Sequence, residues 1–242
     1  AMAAGKAAAE QGVPGFIGLH LEGPHLSLAR KGTHDGTLIR PMDDADLARL
    51  VAARATLPNL LCTVAAETVT PAQIAALAAA GIVVSIGHSD AGTATAAAAF
   101  AAGASMATHL FNAMSQIGNR EPGVVGAVLT GDSVSAGLIA DGIHVHPSAI
   151  QIALRAKSGP GRIFLVTGGT SGMGYEDAKA LAAAGAQVVV AARNPERGRE
   201  TVASIRQAHP DAQIRFEPLD LADLSSVRGL AERLQASLPR LD

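Results

Sequence analysis

The chain is poor in the residues that announce many functions. One cysteine, Cys62, stands among 242 residues, so no internal disulfide can form and a reducing compartment, the cytoplasm, is the expected location. Tryptophan is absent, tyrosine occurs once and aromatics make up 2% of the chain, which removes the stacking platforms that single-stranded nucleic acid requires. Charge of neither sign is in excess: 19 Lys and Arg against 21 Asp and Glu leave a net −2. That balance supplies no pull toward nucleic acid or an anionic membrane surface. Long apolar runs are missing too. The opening AMAAGKAAAEQGVPG lacks the leucine-rich core of a signal peptide, and the alanine-rich stretch from Ala94 to Met114 is interrupted by Thr108, His109 and Asn112, so no bilayer span is expected. What remains is a chain long enough to bury a large core, with small neutral or modestly anionic molecules as the expected ligands.

Against those absences stands a regular alternation. Short runs rich in β-branched residues recur at FIGLHLE, LLCTVAA, VVSIGH, MATHLF, AGLIA, RIFLVT, VVVAAR and IRFEPLD, giving about eight candidate parallel strands. Between them lie helical stretches such as DDADLARLVAARA, TPAQIAALAAAG, HPSAIQIALRAKSG and NPERGRETVASIRQAHP, and a further helix over 2–10 precedes the first strand. Several open on Pro, Ser, Thr or Asp and stop at Gly, as helix ends do. Strand and helix in alternation predict an α/β fold with parallel strands. No linker or low-complexity segment interrupts the series.

Chemistry gathers where the strands end. Glu22, His88, His109 and His144 follow the apolar runs, and His34 lies in the loop KGTHDG. In a parallel β/α array the carboxyl ends of the strands converge on one rim, which is where such folds place their sites. Taken singly, a strand-end histidine is more often a hydrogen-bonded structural group. Its recurrence on successive strand ends favours a shared role. A glutamate with two histidines suits Zn²⁺ or a similar divalent ion, with a coordination position left open for catalysis.

The motifs GLHLEGPHL with KGTH, SIGHS, ATHLFNAM, REPG and ADGIHV, in that order, resemble those of N-acetylglucosamine-6-phosphate deacetylases of the amidohydrolase superfamily, over residues 1–167. The resemblance implies metal ligation by Glu22, His88 and His109, and contact of His34 and His144 with the sugar or its acetamide. It further implies that Asn112 and Ala113 meet the substrate and that Arg120 pairs with the phosphate, leaving open a homodimer in which it does so across the interface. A guanidinium that grips phosphate bidentately suits that task. Two departures stand out. The small β domain and first two barrel strands of the family have no counterpart here. The family's last barrel strand reads LVTDA, its Asp deprotonating the attacking water and protonating the leaving amine, whereas this chain reads FLVTGG. Gly168 stands in place of that Asp, and loss of general acid/base catalysis costs about 10²- to 10⁴-fold in rate. The expected enzyme is therefore an impaired one, with no complete catalytic set.

After residue 167 a second pattern takes over. TGGTSGMG, Thr167 to Gly174, follows a strand and opens a helix. Gly168, Gly172 and Gly174 there permit a tight turn and close approach to a pyrophosphate at a helix N-terminus. With VVVAARN and LDLADLSSV, this stretch resembles the amino-terminal part of short-chain dehydrogenases/reductases over residues 162–242. The resemblance implies that Thr167, Thr170, Ser171 and Met173 surround the phosphates and that Asp220 and Leu221 neighbour the adenine. Arg193 stands where an acid would bind the ribose of NAD, so NADP(H) is the expected nucleotide. The catalytic Ser and Tyr-x-x-x-Lys of that family have no match, since the one tyrosine, Tyr175, belongs to the turn's own helix.

The strand FLVT suits both patterns, so the chain reads as a chimera joined there: a partial TIM-type barrel over 1–167 and half a Rossmann-type fold over 162–242, sharing strand 162–167. The expected architecture is one continuous sheet of about eight strands, closed or open, with VVVAAR and IRFEPLD in the places of the missing first strands. Arg215, Glu217 and Pro218 in the last strand mark it as an edge.

Overall fold

The computed structural model describes residues 1–139, 143–157 and 163–239, with all their side chains except those of 163–165 and 173. The chain divides into two compact units, Ala1–Ile139 and Ala140–Asp242, so the stretch 162–167 at which the sequence patterns change lies within the second.

In the first unit, strands β1 (Leu19–Glu22), β2 (Leu60–Val64), β3 (Val83–Ile86), β4 (Met106–Ala107) and β5 (Ser135–Ala136) form one parallel sheet in sequential order. Between them run α2 (Asp44–Arg54), α3 (Pro71–Ala79), α4 (Thr93–Ala101) and α5 (Gly123–Thr130), and α1 (Met2–Glu10) precedes the sheet. Register sorts the side chains into two faces. Leu60, Cys62, Val64, Val84, Ile86 and Ala107 share one face and are buried, where α3 contributes Ile74 and Leu77, both fully enclosed. The other face carries His20 and Glu22 of β1, Thr63 of β2 and Ser85 of β3. Its buried hydroxyls are paired in a chain: His20 Nε2 with Thr63 Oγ1, Thr63 Oγ1 with Thr108 Oγ1, and Thr108 Oγ1 with Ser85 Oγ, each 2.7 Å. Polar groups inside a sheet are tolerated when they satisfy one another in this way.

The second unit holds β6 (Ile163–Thr167), β7 (Gln187–Ala192) and β8 (Ile214–Pro218), parallel and in sequential order, with α6 (Pro147–Lys157), α7 (Gly172–Ala183), α8 (Pro195–Ala208) and α9 (Leu224–Ser237). Val188 and Val190 of β7 pack with Leu181 and Ile205 on one face, and Val189 packs with Leu219, Leu230 and Leu234 on the other. Gly198 near the start of α8 has a steric reason: an added methyl would land inside the Phe216 ring of β8, so only glycine lets this helix approach so closely. The edge position of β8 agrees with its charged alternation, Glu217 pairing with Arg233 at 3.0 Å and Arg215 at 3.6 Å.

The α/β class, the parallel strands and their number agree with the sequence. The expected continuity does not form. Five strands belong to one sheet and three to another, and among the described residues β6 pairs with β7 alone.

Charge also fixes the entry to α2. Asp46 is buried and exchanges capping hydrogen bonds with Asp43 while accepting from Arg40 and Arg49. The Arg40 guanidinium, foremost, holds its carboxyl well below the usual carboxylate range against the opposing effect of burial, with Arg49, the Asp43 amide and His25 assisting. A pKa below the unfolded value means that the native state binds fewer protons, so this stabilisation is present above about pH 4 and is lost as acid is added. Asp46→Asn is expected to cost on the order of 2 kcal/mol at pH 7 and to leave stability less steeply dependent on pH below 4. Urea unfolding at pH 7 and 3.5 checks both, and an unchanged pH slope counts against the assignment.

Candidate metal centre and nucleotide pocket

At the carboxyl ends of β1, β3 and β4 three ligand atoms meet. Glu22 Oε1 lies 3.1 Å from His88 Nε2 and 3.1 Å from His109 Nε2, and the two nitrogens are 3.1 Å apart. Among the described residues this is the group whose donor atoms could share an ion. Each imidazole is turned by its other nitrogen: His88 Nδ1 donates to the Arg30 carbonyl at 2.7 Å and His109 Nδ1 to the Asn112 carbonyl at 3.1 Å. A carbonyl only accepts, so Nδ1 carries the proton, and in the neutral, metal-ligating ring the Nε2 lone pair faces the carboxylate.

That arrangement fits a cation. Two neutral imidazole lone pairs and a carboxylate oxygen repel at this distance unless a positive charge sits among them. Tetrahedral Zn²⁺ with bonds of about 2.0–2.1 Å sets its ligand atoms roughly 3.3 Å apart, close to the triangle present. Burial, the largest influence, pushes His88 below the ordinary imidazole range, against the hydrogen bond to Arg30 and the Glu22 charge, which favours the neutral form that ligates.

The backbone is strained where the ligands sit. His88 and His109 adopt φ +46° and +37°, and Phe111 and Ala113 adopt +76° and +48°. Non-glycine residues enter the left-handed region at a cost that surrounding contacts must cover, and such residues cluster at functional sites. Around His109 the cover comes from Leu110 N to Gly137 O at 2.8 Å and Asn112 N to His109 O at 2.8 Å. Immediately before His88, Gly87 runs so close to Thr63 and Thr108 that a Cβ would lie 2.8 Å from Thr63 Cγ2.

The other residues expected at this site are distributed unevenly. His34 stands beside the triangle, Nε2 3.9 Å from Glu22 Oε2 and its ring edge-on to His88 with centroids 4.7 Å apart. Asn112 and Ala113 are half-buried in the turn after β4, and Asn112 orients His109 through its carbonyl. Arg120 is exposed, without an ion pair among the described residues. His144 belongs to the second unit and is exposed there. Unforeseen in the sequence were the carbonyl of Arg30, whose side chain is pinned by Asp90 at 2.7 Å, and the carboxylate of Glu67, which reaches the turn after His88. A carbonyl's aim leaves no trace in residue identity, so Arg30 had no signal.

In the second unit a cavity of about 550 Å³ is lined by Thr167, Gly168, Thr170, Ser171, Arg193, Asp220 and Leu221, all expected from the sequence, together with Asn194 and Arg197, for which the sequence carries no such expectation. Gly168 and Gly172 take φ +67° and +55°, conformations that favour glycine. Gly174, in the first turn of α7, lies so near the preceding turn that a Cβ would meet Gly168 O at 2.7 Å. Gly172 and Gly174 thus shape the turn without being among the cavity's lining residues, and the Met173 side chain lies outside the described ones.

Comparison with known proteins separates the same two stretches. Residues 162–242 match the family model for short chain dehydrogenase. Over 164 residues, 68% of this chain, the sequence is 44% identical to an N-acetylgalactosamine-6-phosphate deacetylase of Shewanella sp. (strain ANA-3), covering 41% of that protein. An N-acetylglucosamine-6-phosphate deacetylase of Danio rerio is 41% identical over 167 residues, 66% of this chain and 41% of the relative. The chain resembles two families, one along each part of its length. Solved structures agree for the first part: the N-acetylglucosamine-6-phosphate deacetylase of Pasteurella multocida superposes with TM-score 0.58 at 38% identity, covering 63% of this chain and 41% of that one. A mutant of the Mycobacterium smegmatis enzyme in complex with N-acetyl-D-glucosamine-6-phosphate gives 0.59 at 37%, covering 65% and 42%. The chain spans about two fifths of the length of the deacetylases it matches. Among the described residues no helix is long and apolar enough to cross a membrane.

Proposed function

We propose that the chain is a metal-binding, N-acetylglucosamine-6-phosphate deacetylase-like protein impaired in catalysis. The observation that carries this reading is the 3.1 Å triangle of Glu22, His88 and His109, with both imidazoles turned by carbonyls so that their lone pairs face one point. An ion bound there, Zn²⁺ by the chemistry of its donors, supplies Lewis-acid polarisation of a carbonyl and lowers the pKa of water. The chain's own groups define the rest. His34 beside the triangle, with Asn112 and Ala113, meets the acetamide and sugar, and exposed Arg120 grips the phosphate. Gly168, at the sequence position of the family's acid/base Asp, has no side chain to move a proton, which supports the impairment.

Elemental analysis of the purified protein coupled to an acetate-release assay on N-acetylglucosamine 6-phosphate tests this. The expected result is about one divalent ion per chain with acetate release reduced by at least about 10²-fold against a full-length relative. Protein without bound metal, even after incubation with Zn²⁺, overturns it. The reading also places the protein in the cytoplasm, where the buried Cys62 thiol, pushed up to about 12 by burial, stays reduced and unreactive.

A second reading belongs to the second unit and rests on its cavity: a site for NADP(H) without hydride chemistry. The glycine turn offers backbone amides to a pyrophosphate, and Arg193 and Arg197 line the same space.

A further inference from the structure

We propose that Glu67 is a positioning residue of the metal centre, holding the strained turn that aims His88; this rests on the metal reading above. Glu67 follows β2 and sends its carboxylate to the neighbouring strand end. Oε2 accepts from Ser89 Oγ at 2.6 Å and Oε1 from the Asp90 amide at 2.7 Å. Both donors belong to the two residues after His88, where the backbone leaves its left-handed conformation.

Ser89 is fully buried and sits at the junction of three strand ends. Its carbonyl accepts from Ser115 N at 3.0 Å, at the end of the His109 turn, and its hydroxyl oxygen accepts from the amides of Ala66 and Ala91 at 3.3 Å. The hydroxyl proton goes to Glu67. The His88 carbonyl is held from the opposite side by Ser27 N at 2.8 Å. His88 is therefore clamped between the 27–30 turn and the Glu67–Ser89 contact, and removal of the carboxylate leaves a buried hydroxyl proton without an acceptor while freeing the Asp90 amide. The turn can then relax toward ordinary φ, which swings Nε2 away from Glu22 and His109. Glu67 touches neither ion nor substrate, and its effect travels through the backbone of His88. Partners that orient ligands in this way typically govern metal affinity by about 10- to 100-fold.

The test is titration of the whole, metal-stripped chain with Co²⁺ and Zn²⁺, in wild type, Glu67→Ala and Glu67→Gln, with the melting temperature of each metal-free protein recorded beside it. Expected are an affinity at least about tenfold weaker for Glu67→Ala, a smaller loss for Glu67→Gln, which keeps one acceptor oxygen, and an altered visible absorption of bound Co²⁺. A merely structural carboxylate lowers the metal-free melting temperature and leaves affinity and spectrum alone. If Glu67→Ala does not fold, Ser89→Ala carries the test, since it removes the same contact from the other side and is expected to weaken binding in the same direction. Wild-type affinity in the variants overturns the role of Glu67 and leaves the metal reading standing. Absence of binding in the wild type overturns both.

Discussion

Replacing His109 with alanine is expected to weaken divalent-ion binding by at least about a hundredfold and to erase most of the stabilisation the ion confers. With three protein donors, removal of one leaves two, and the loss must exceed the 10- to 100-fold typical of partners that only orient a ligand. An ion present at a hundred times its Kd stabilises the folded state by about 2.7 kcal/mol. The same concentration meets a hundredfold weaker site at its own Kd, where the gain is only about 0.4 kcal/mol. At roughly 2–4 °C per kcal/mol for a protein of this size, metal should raise the wild-type melting temperature by about 5–10 °C and that of His109→Ala by little more than 1 °C. Calorimetric melts with and without Zn²⁺ provide the measurement. His109→Ala also removes an imidazole that leans against His88 with ring centroids 4.8 Å apart, so the metal-free variant is the proper reference. A metal-induced shift of wild-type size in His109→Ala would mean that the ion binds elsewhere.

How much of this was legible beforehand differs by level. Seven of the eight apolar runs hold a strand, while AGLIA contributes only Ala136 to β5; runs of β-branched residues between turn signals report local preference and burial together. Helix α5 was not foreseen for a physical reason: seven of the eight residues of GVVGAVLT are buried, so it has no polar face and no period of 3.6 to read. Helix α9 was also missed, although it carries a signal: Asp223 caps its first turn and Leu230 and Leu234, four apart, face the core. In the sequence only its first residues figure, within LDLADLSSV of the dehydrogenase resemblance.

At the metal centre, the convergence of Glu22, His88 and His109 follows from strand direction alone, since parallel strands bring their carboxyl ends to one edge. What aims the imidazoles could not be read. Arg30 and Asn112 act through backbone carbonyls, which every residue type has. The left-handed turns at His88 and His109 occur without glycine and so carry no sequence mark. The division into two sheets was missed because a local pattern lists strands without stating their partners: FLVT suits either context, and only pairing places it beside VVVAAR.

Arg193→Ala is expected to weaken NADPH binding by about 10- to 100-fold while changing NADH affinity by less than about twofold. Strand β7 ends at Ala192, so Arg193 stands at the carboxyl edge of the second sheet, where a dinucleotide fold places the group that reads the adenosine ribose. An acidic side chain there would accept from the 2′-hydroxyl and repel a 2′-phosphate. Here the side chain is a guanidinium, and Asn194, whose Oδ1 accepts from the amides of Glu196 and Arg197 at 2.9 and 3.1 Å, starts α8 so that Arg197 lines the same cavity. Asp220, the acid among the cavity's lining residues, turns an oxygen to the Ala222 amide at 3.0 Å. A hydrogen bond to a charged group contributes about 1.5–3 kcal/mol, and each 1.4 kcal/mol is tenfold in affinity, which sets the predicted range. Fluorescence titration of wild type and variant with both nucleotides gives the ratio. Equal losses for NADPH and NADH would assign Arg193 to the fold of the turn, and failure of both nucleotides to bind the wild type would remove the nucleotide reading while leaving the metal centre untouched.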